Sequence, residues 1–213
     1  MFGPSFNSVG NETGMKLKDL GFPASETGDG ILLIDTATAQ YTELTYVTAE
    51  GAADEGLADG AGWYNFTGDD PVFENERVIT RGCAFWMYLV NGEVVTTTAG
   101  EVKNTFTRTF PNRLYSALSN PFPTQFKLKD LNWPATDTGD GMLWIDPATS
   151  AYTDLTYVTA EGASDEGLSD GAGWYDFTGD DPVFANNWEL APGQGVWIYP
   201  VNGSVTATAS ISL

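Results

Sequence analysis

Residues 27–34 read Thr27-Gly28-Asp29-Gly30-Ile31-Leu32-Leu33-Ile34, and they return as Thr138-Gly139-Asp140-Gly141-Met142-Leu143-Trp144-Ile145. The offset is 111 positions (138 − 27), and it holds without a gap for residues 16–73 against 127–184, where 45 of 58 positions are identical. Agreement over that length marks a duplicated unit, and a repeat has to be read before any other feature. Before residue 16 the offset falls to 109: Phe6-Asn7-Ser8-Val9-Gly10-Asn11 pairs with Tyr115-Ser116-Ala117-Leu118-Ser119-Asn120, and the second copy carries two extra residues within Pro121-Phe122-Pro123. After residue 73 the copies diverge. Residues 74–84 and 185–195 share only Asn75/Asn186 and Gly82/Gly193, and agreement then returns at Trp86/Trp197, Tyr88/Tyr199 and Val90-Asn91-Gly92/Val201-Asn202-Gly203.

The local signals are those of strands. The run at 31–34 is short, apolar and closed by Asp35, and residues 41–48 alternate aromatic or aliphatic side chains with Thr and Glu, the period of a half-buried strand. Residues 85–90 and 94–98 around Asn91-Gly92 predict a hairpin, because Asn-Gly supplies the positive φ angles of a type I′ turn; 196–201 and 205–209 around Asn202-Gly203 repeat it. Pro200 inside that second version predicts an edge strand. Helical patterning is confined to one turn at Leu17-Lys18-Asp19-Leu20. The fold class expected is all-β: two tandem homologous β-sandwich, or compact barrel, domains at residues 1–102 and 113–213, joined by a linker strand at 103–112.

Charge narrows the partners. The 213 residues hold 29 Asp plus Glu against 9 Lys plus Arg, with no His and a net charge of −20. Such a field repels phosphate backbones and anionic headgroups, so the reading is no nucleic acid and no membrane insertion; no apolar run approaches the ~20 residues of a membrane-spanning helix. No basic residue follows Lys129, while 13 acidic ones lie between residues 130 and 189. Those carboxylates face water, salt or metal ions. The single cysteine, Cys83, has Gln194 as its counterpart, so it reads as a small buried hydrophobe and forms no internal disulfide.

The residues bear on three kinds of chemistry. The Gly-rich acidic loops supply the hard oxygens and sharp turns that calcium wants: Asp54, Glu55, Asp59, Asp69 and Asp70, and again Asp165, Glu166, Asp170, Asp180 and Asp181. Their spacing is not that of an EF-hand, and solvated turns are the competing reading. Trp63-Tyr64 and Trp174-Tyr175, set between acidic groups, are candidates for a platform on which a sugar stacks; the competing reading makes them core residues, as it does Trp86 and Trp197. For catalysis no residue stands out. Without His there is no Ser-His or Cys-His pair, and no phosphate-binding Gly motif is present.

The order Tyr152…Tyr157…Gly173-Trp174-Tyr175-Asp176…Leu190-Ala191-Pro192-Gly193-Gln194-Gly195-Val196-Trp197-Ile198 resembles the tandem modules of secreted verrucomicrobial-type bacterial surface proteins, with their SNPF, GWYD and PGQGFW motifs. The likeness covers most of each copy; the first copy departs from it at Arg81-Gly82-Cys83-Ala84 and lacks the Pro-Phe-Pro entry. The resemblance implies export and a surface role, and transfers no chemistry. The function expected is therefore an extracellular or cell-surface structural and adhesive protein, a building block of a layer, fibre or matrix whose partner is further copies of itself. The alternative is a pair of carbohydrate-binding modules with glycans as partners.

A route to assembly is suggested by the linker. Its alternating Asn104-Thr105-Phe106-Thr107-Arg108-Thr109-Phe110 has no twin in the repeat. If this strand completes the first domain's sheet, the second domain is left with an open edge, and strand addition between subunits follows through Asn104, Phe106, Arg108 and Phe110 or through residues 1–5.

Overall fold

A computed structural model describes residues 8–11, 13–22, 27–35, 40–90, 99–134, 137–146, 149 and 151–212. It is 42% strand and 11% helix, with several antiparallel sheets and no closed barrel, so the all-β expectation holds. In chain order the first copy contributes β1 (Gly14–Lys16), β2 (Gly30–Asp35), β3 (Gln40–Val47), the short helix α1 (Ala49–Asp54), β4 (Gly62–Asn65), β5 (Val72–Phe73), β6 (Val78–Thr80) and β7 (Trp86–Tyr88). Then come β8 (Thr105–Phe110) and β9 (Ser116–Ser119), followed by β10 (Phe126–Lys127), β11 (Gly141–Ile145), β12 (Tyr152–Val158), α2 (Ala160–Asp165), β13 (Gly173–Asp176), β14 (Val183–Phe184), β15 (Glu189–Leu190), β16 (Gly195–Tyr199) and β17 (Val205–Ser210).

Each copy is built on one antiparallel sheet. In the first the order is β5-β4-β3-β2-β7; in the second it is β14-β13-β12-β11-β16-β9. A second layer closes the core: β1–β6 in the first copy, and in the second β10–β15 with the ribbon β8–β17. The strands alternate as their sequences demand. Leu155, Met142, Val196, Ile198 and Leu118 point into the second core, where Phe106 and Phe110 of β8 and Ala207 and Ala209 of β17 meet them. The first core, around Met15, Leu17, Ile31, Leu44, Trp63, Ile79 and Phe85, follows the same plan. The predicted turn at residues 17–20 is a 3₁₀ turn, repeated at 128–131, with Leu17, Leu20, Leu128 and Leu131 buried.

Three expectations change. The second Asn-Gly turn does not make a hairpin: β17 leaves the sheet that holds β16 and pairs along its whole length with β8, from Val205↔Phe110 to Ser210↔Thr105. Its first-copy version, around Asn91-Gly92, lies outside the described residues. Pro200 follows β16 rather than interrupting it, and β16 is internal, between β11 and β9. The helices α1 and α2 were missed. Each is six residues with Thr48 or Thr159 as N-cap, the hydroxyl accepting the N–H of Gly51 or Gly162 at 3.2 Å, and each covers one end of its sheet's outer face.

Candidate functional site

The acidic loops are helix ends and turns. Asp54 and Asp165 close α1 and α2, Glu55 and Glu166 are the C-caps, and Gly56 at φ 70° ends the helix in the left-handed region, with the N–H of Leu57 on the carbonyl of Ala52 at 2.8 Å. Asp59, Asp69, Asp70, Asp170, Asp180 and Asp181 are exposed in the loops that follow, as are the other four. Among the described residues no group of three or more Asp, Glu, Cys or His side chains converges, so the ten carboxylates proposed for calcium are not brought together into a cage.

The sugar platform placed at Trp63, Tyr64, Trp174 and Tyr175 is corrected. All four rings are 1% exposed, and their faces are taken by protein. Trp63 packs edge-on against Tyr46 at 5.2 Å, and Trp174 packs on Tyr157 and Trp133 at 5.3 and 5.5 Å. Tyr64 and Tyr175 pack on Phe73 and Phe184 under the helices, and each hydroxyl donates to the carbonyl of Gly60 or Gly171 at 2.7 Å. These rings pin the acidic loop; none is free to stack on a ligand.

The presumed linker strand is likewise engaged within its own chain. Phe106 and Phe110 are core residues, and the carbonyl of Asn104 accepts the N–H of Ile211 at 2.9 Å. Arg108 alternates inward with them, lies over the Phe110 ring at 5.0 Å, and donates from Nη1 to the carbonyls of Gly82 and Ala117 at 2.9 and 2.7 Å. The premise for strand addition through Asn104, Phe106, Arg108 and Phe110 is corrected: the linker strand does not complete the first copy's sheet but pairs with β17 of the second copy in a two-stranded ribbon; residues 1–5 lie outside the described residues.

Those contacts belong to a seam between the copies. The edge strand β9 pairs with β16 on one side, and on the other Leu118 bridges Cys83 of the first copy, with Ala84 N–H on Ala117 O at 3.2 Å and Ser119 N–H on Gly82 O at 2.9 Å. Arg81 crosses the seam and donates to the carbonyls of Lys103, Thr105 and Pro121. Burial pushes both guanidinium groups, Arg81 and Arg108, below their ordinary value. Cys83, expected to be a buried hydrophobe, is half-buried here and packs on the first core. The seam is formed by Arg81-Gly82-Cys83-Ala84, the segment at which the first copy departs from the repeat.

Sequence reasoning missed the outer face of each sheet. Phe85 and Met87 point into the first core, so Trp86 and Tyr88 point out; Val196 and Ile198 point in, so Trp197 and Tyr199 point out. Neighbouring strands complete two matching rows, Glu43–Leu32–Trp86 and Asp154–Leu143–Trp197, each about 10 Å wide. Tyr88 is 40% exposed, and its hydroxyl donates to Glu43 at 2.6 Å, which together with burial raises its pKa. Tyr115, 58% exposed, stands against Tyr199 at 4.7 Å and Trp197 at 6.3 Å. Tyr41 and Tyr152 are exposed at the far end of each face, across from Ile34 and Ile145. The two tryptophans read as core in the sequence because both faces of their strands are apolar there, which leaves the phase of the alternation undecided. The available signal was Val196-Trp197-Ile198-Tyr199, with branched aliphatics on one parity and aromatics on the other.

No family model matches the chain, and neither a curated protein nor a solved structure shows significant similarity to it.

Proposed function

We propose that the chain is an extracellular or cell-surface structural and adhesive protein: a non-catalytic pair of β-domains held rigidly so that their outer faces act together. The observation that carries this reading is the seam. A chain with a net charge of −20 has nine basic residues, and two of them, Arg81 and Arg108, are placed among backbone carbonyls where the copies meet. A guanidinium is costly to take out of water unless its donors are met by acceptors, so this junction is a specified contact rather than a loose tether. Rigid coupling suits a module that presents a surface in fixed orientation. The likeness to secreted surface modules supports the location, and the acidic surface suits a salt- or calcium-rich exterior.

The test is the mobility of one copy relative to the other. NMR relaxation on the intact chain is expected to give one tumbling time for both copies. Arg81→Ala removes donors to three carbonyls without touching either core; it is expected to separate the tumbling times while each copy keeps its own chemical-shift pattern. Independent tumbling in the unaltered chain would overturn the proposal.

A further inference from the structure

We infer that the outward aromatic faces, Trp86 and Tyr88 in the first copy and Tyr115, Trp197 and Tyr199 in the second, bind a neutral polysaccharide chain. The inference rests on the adhesive reading above and names its ligand. The first observation is a comparison of the two copies with each other. Along β7 and β16 the inward residues differ, Phe85 against Val196 and Met87 against Ile198, while the outward ones are identical, Trp86 with Trp197 and Tyr88 with Tyr199. Apolar swaps inside a core are tolerated where the packing adjusts, whereas the solvent-facing positions of a strand kept only for its core are free to drift, so it is the outward identity that calls for a reason. The row across the sheet is kept as well: a carboxylate, Leu and Trp at Glu43–Leu32–Trp86 and at Asp154–Leu143–Trp197.

The second observation is chemical fit. Half-exposed indole and phenol rings give flat apolar surface with a polar tip, matched to the C–H face of a pyranose, and carboxylates beside them accept from sugar hydroxyls. Glu43 and Asp154 supply that acceptor in each copy. Charge narrows the polymer: a chain of net charge −20 repels uronic-acid, sulfated and phosphate-bearing polymers, and the uncharged apolar rings suit a neutral one. The arrangement also favours a polymer over a free sugar. Cys83 and Leu118 face each other at the bridge that joins the two sheets, both on the core side, so the two outer faces lie on the same side of the seam. Two sites fixed in one body bind a repeating ligand with an avidity that neither reaches alone.

The experiment is co-sedimentation of the intact chain with microcrystalline cellulose, chitin, xylan and an insoluble β-1,3-glucan, with calcium-crosslinked polygalacturonate as the anionic control, alongside tryptophan fluorescence with soluble oligosaccharides. Saturable binding to at least one neutral polymer is expected. Trp197→Ala and Trp86→Ala should each weaken it at least tenfold, and the pair together should abolish it. Tyr115→Ala, at an exposed ring outside the core, should weaken it severalfold with an unchanged melting temperature, which separates binding loss from misfolding. Absence of binding to every neutral polymer, binding confined to polygalacturonate, or full retention by the double variant would overturn the inference. A binding result does not depend on how the copies tumble, so failure here leaves the rigid-pair proposal standing, and failure there leaves each face to be judged by this test.

Discussion

Single residues carry more of this protein's individuality than the repeat does. Glu76 illustrates it: its carboxylate accepts from Lys16 at 2.7 Å and from Lys18, and the hydrogen bond from Lys16, followed by that from Lys18, lowers its pKa to about 2. The counterparts of the lysines are Lys127 and Lys129, but Asn187 stands where Glu76 does, and Lys127 instead faces Glu189 at 3.8 Å. A depressed carboxyl contributes stability that is fully present above its ordinary, unfolded value and is lost as pH falls through the folded one, so the window runs from the usual carboxylate range down to about pH 2. Following the Glu76 side-chain shift by NMR is expected to give a midpoint near 2, returning to the ordinary carboxylate range in Lys16→Ala/Lys18→Ala. An ordinary midpoint in the unaltered chain would show that the pairs do not persist in solution. Because the group is exposed, the effect on overall stability is small and screened by salt. Buried polar residues act differently. Asp140 accepts from Trp133 Nε1 at 2.9 Å and from the Val201 N–H at 2.9 Å, and Asp29 takes the equivalent Val90 N–H at 2.9 Å, which explains why the Thr-Gly-Asp-Gly motif is retained: its Asp ties the start of β2 or β11 to the segment after β7 or β16.

At the scale of elements, the decisive one is the turn at residues 81–84. Gly82 has φ 80°, in the left-handed region, and a Cβ there would sit 2.4 Å from the ring of Phe106 in β8. Backbone conformation and close approach thus both require glycine, and the turn can lie flat on β8 only because of it. Gly82→Ala is expected to cost about 2 kcal/mol or more, through strain and displacement of Phe106, in chemical denaturation of the intact chain. A cost below about 0.5 kcal/mol, the range of an inconsequential surface change, would mean the turn does not rest on β8 as described. The counterpart, Gly193 at φ 74°, is also left-handed, but there Gln194 donates to the carbonyl of Ile145 at 3.3 Å within its own copy. The same turn therefore serves a junction in one copy and local closure in the other.

The whole molecule is governed by its charge. With no basic residue after Lys129 and exposed carboxylates throughout the loops of the second copy, self-repulsion opposes the compact state, and counter-ions relieve it. Both copies are strongly acidic, with 16 Asp plus Glu against 4 Lys plus Arg in residues 1–102 and 13 against 3 in residues 113–213, so added NaCl is expected to raise the melting temperature of the whole chain. Because the described carboxylates do not converge, calcium and magnesium are expected to act alike at equal ionic strength. A larger rise with millimolar calcium than with magnesium, seen by calorimetry, would mean that a specific site forms.

The division between what was legible in the residues and what was not follows from the range of each signal. The duplication, the all-β class, the turn at residues 17–20 and its twin, and the longer strands were determined by sequence alone, because they rest on composition, period and turn chemistry within a few residues. The helices α1 and α2 were hidden because six residues with one glycine show no 3.6-residue period. Only the tertiary structure decided that β17 turns away from β16 to join β8, because an Asn-Gly turn reverses the chain but does not choose its hydrogen-bonding partner. It alone decided that Trp63 and Trp174 lie inside while Trp86 and Trp197 lie outside. Strand periodicity says that neighbours face opposite ways, but where both parities are apolar it does not say which way is in; that choice is made by the layer packed against the sheet.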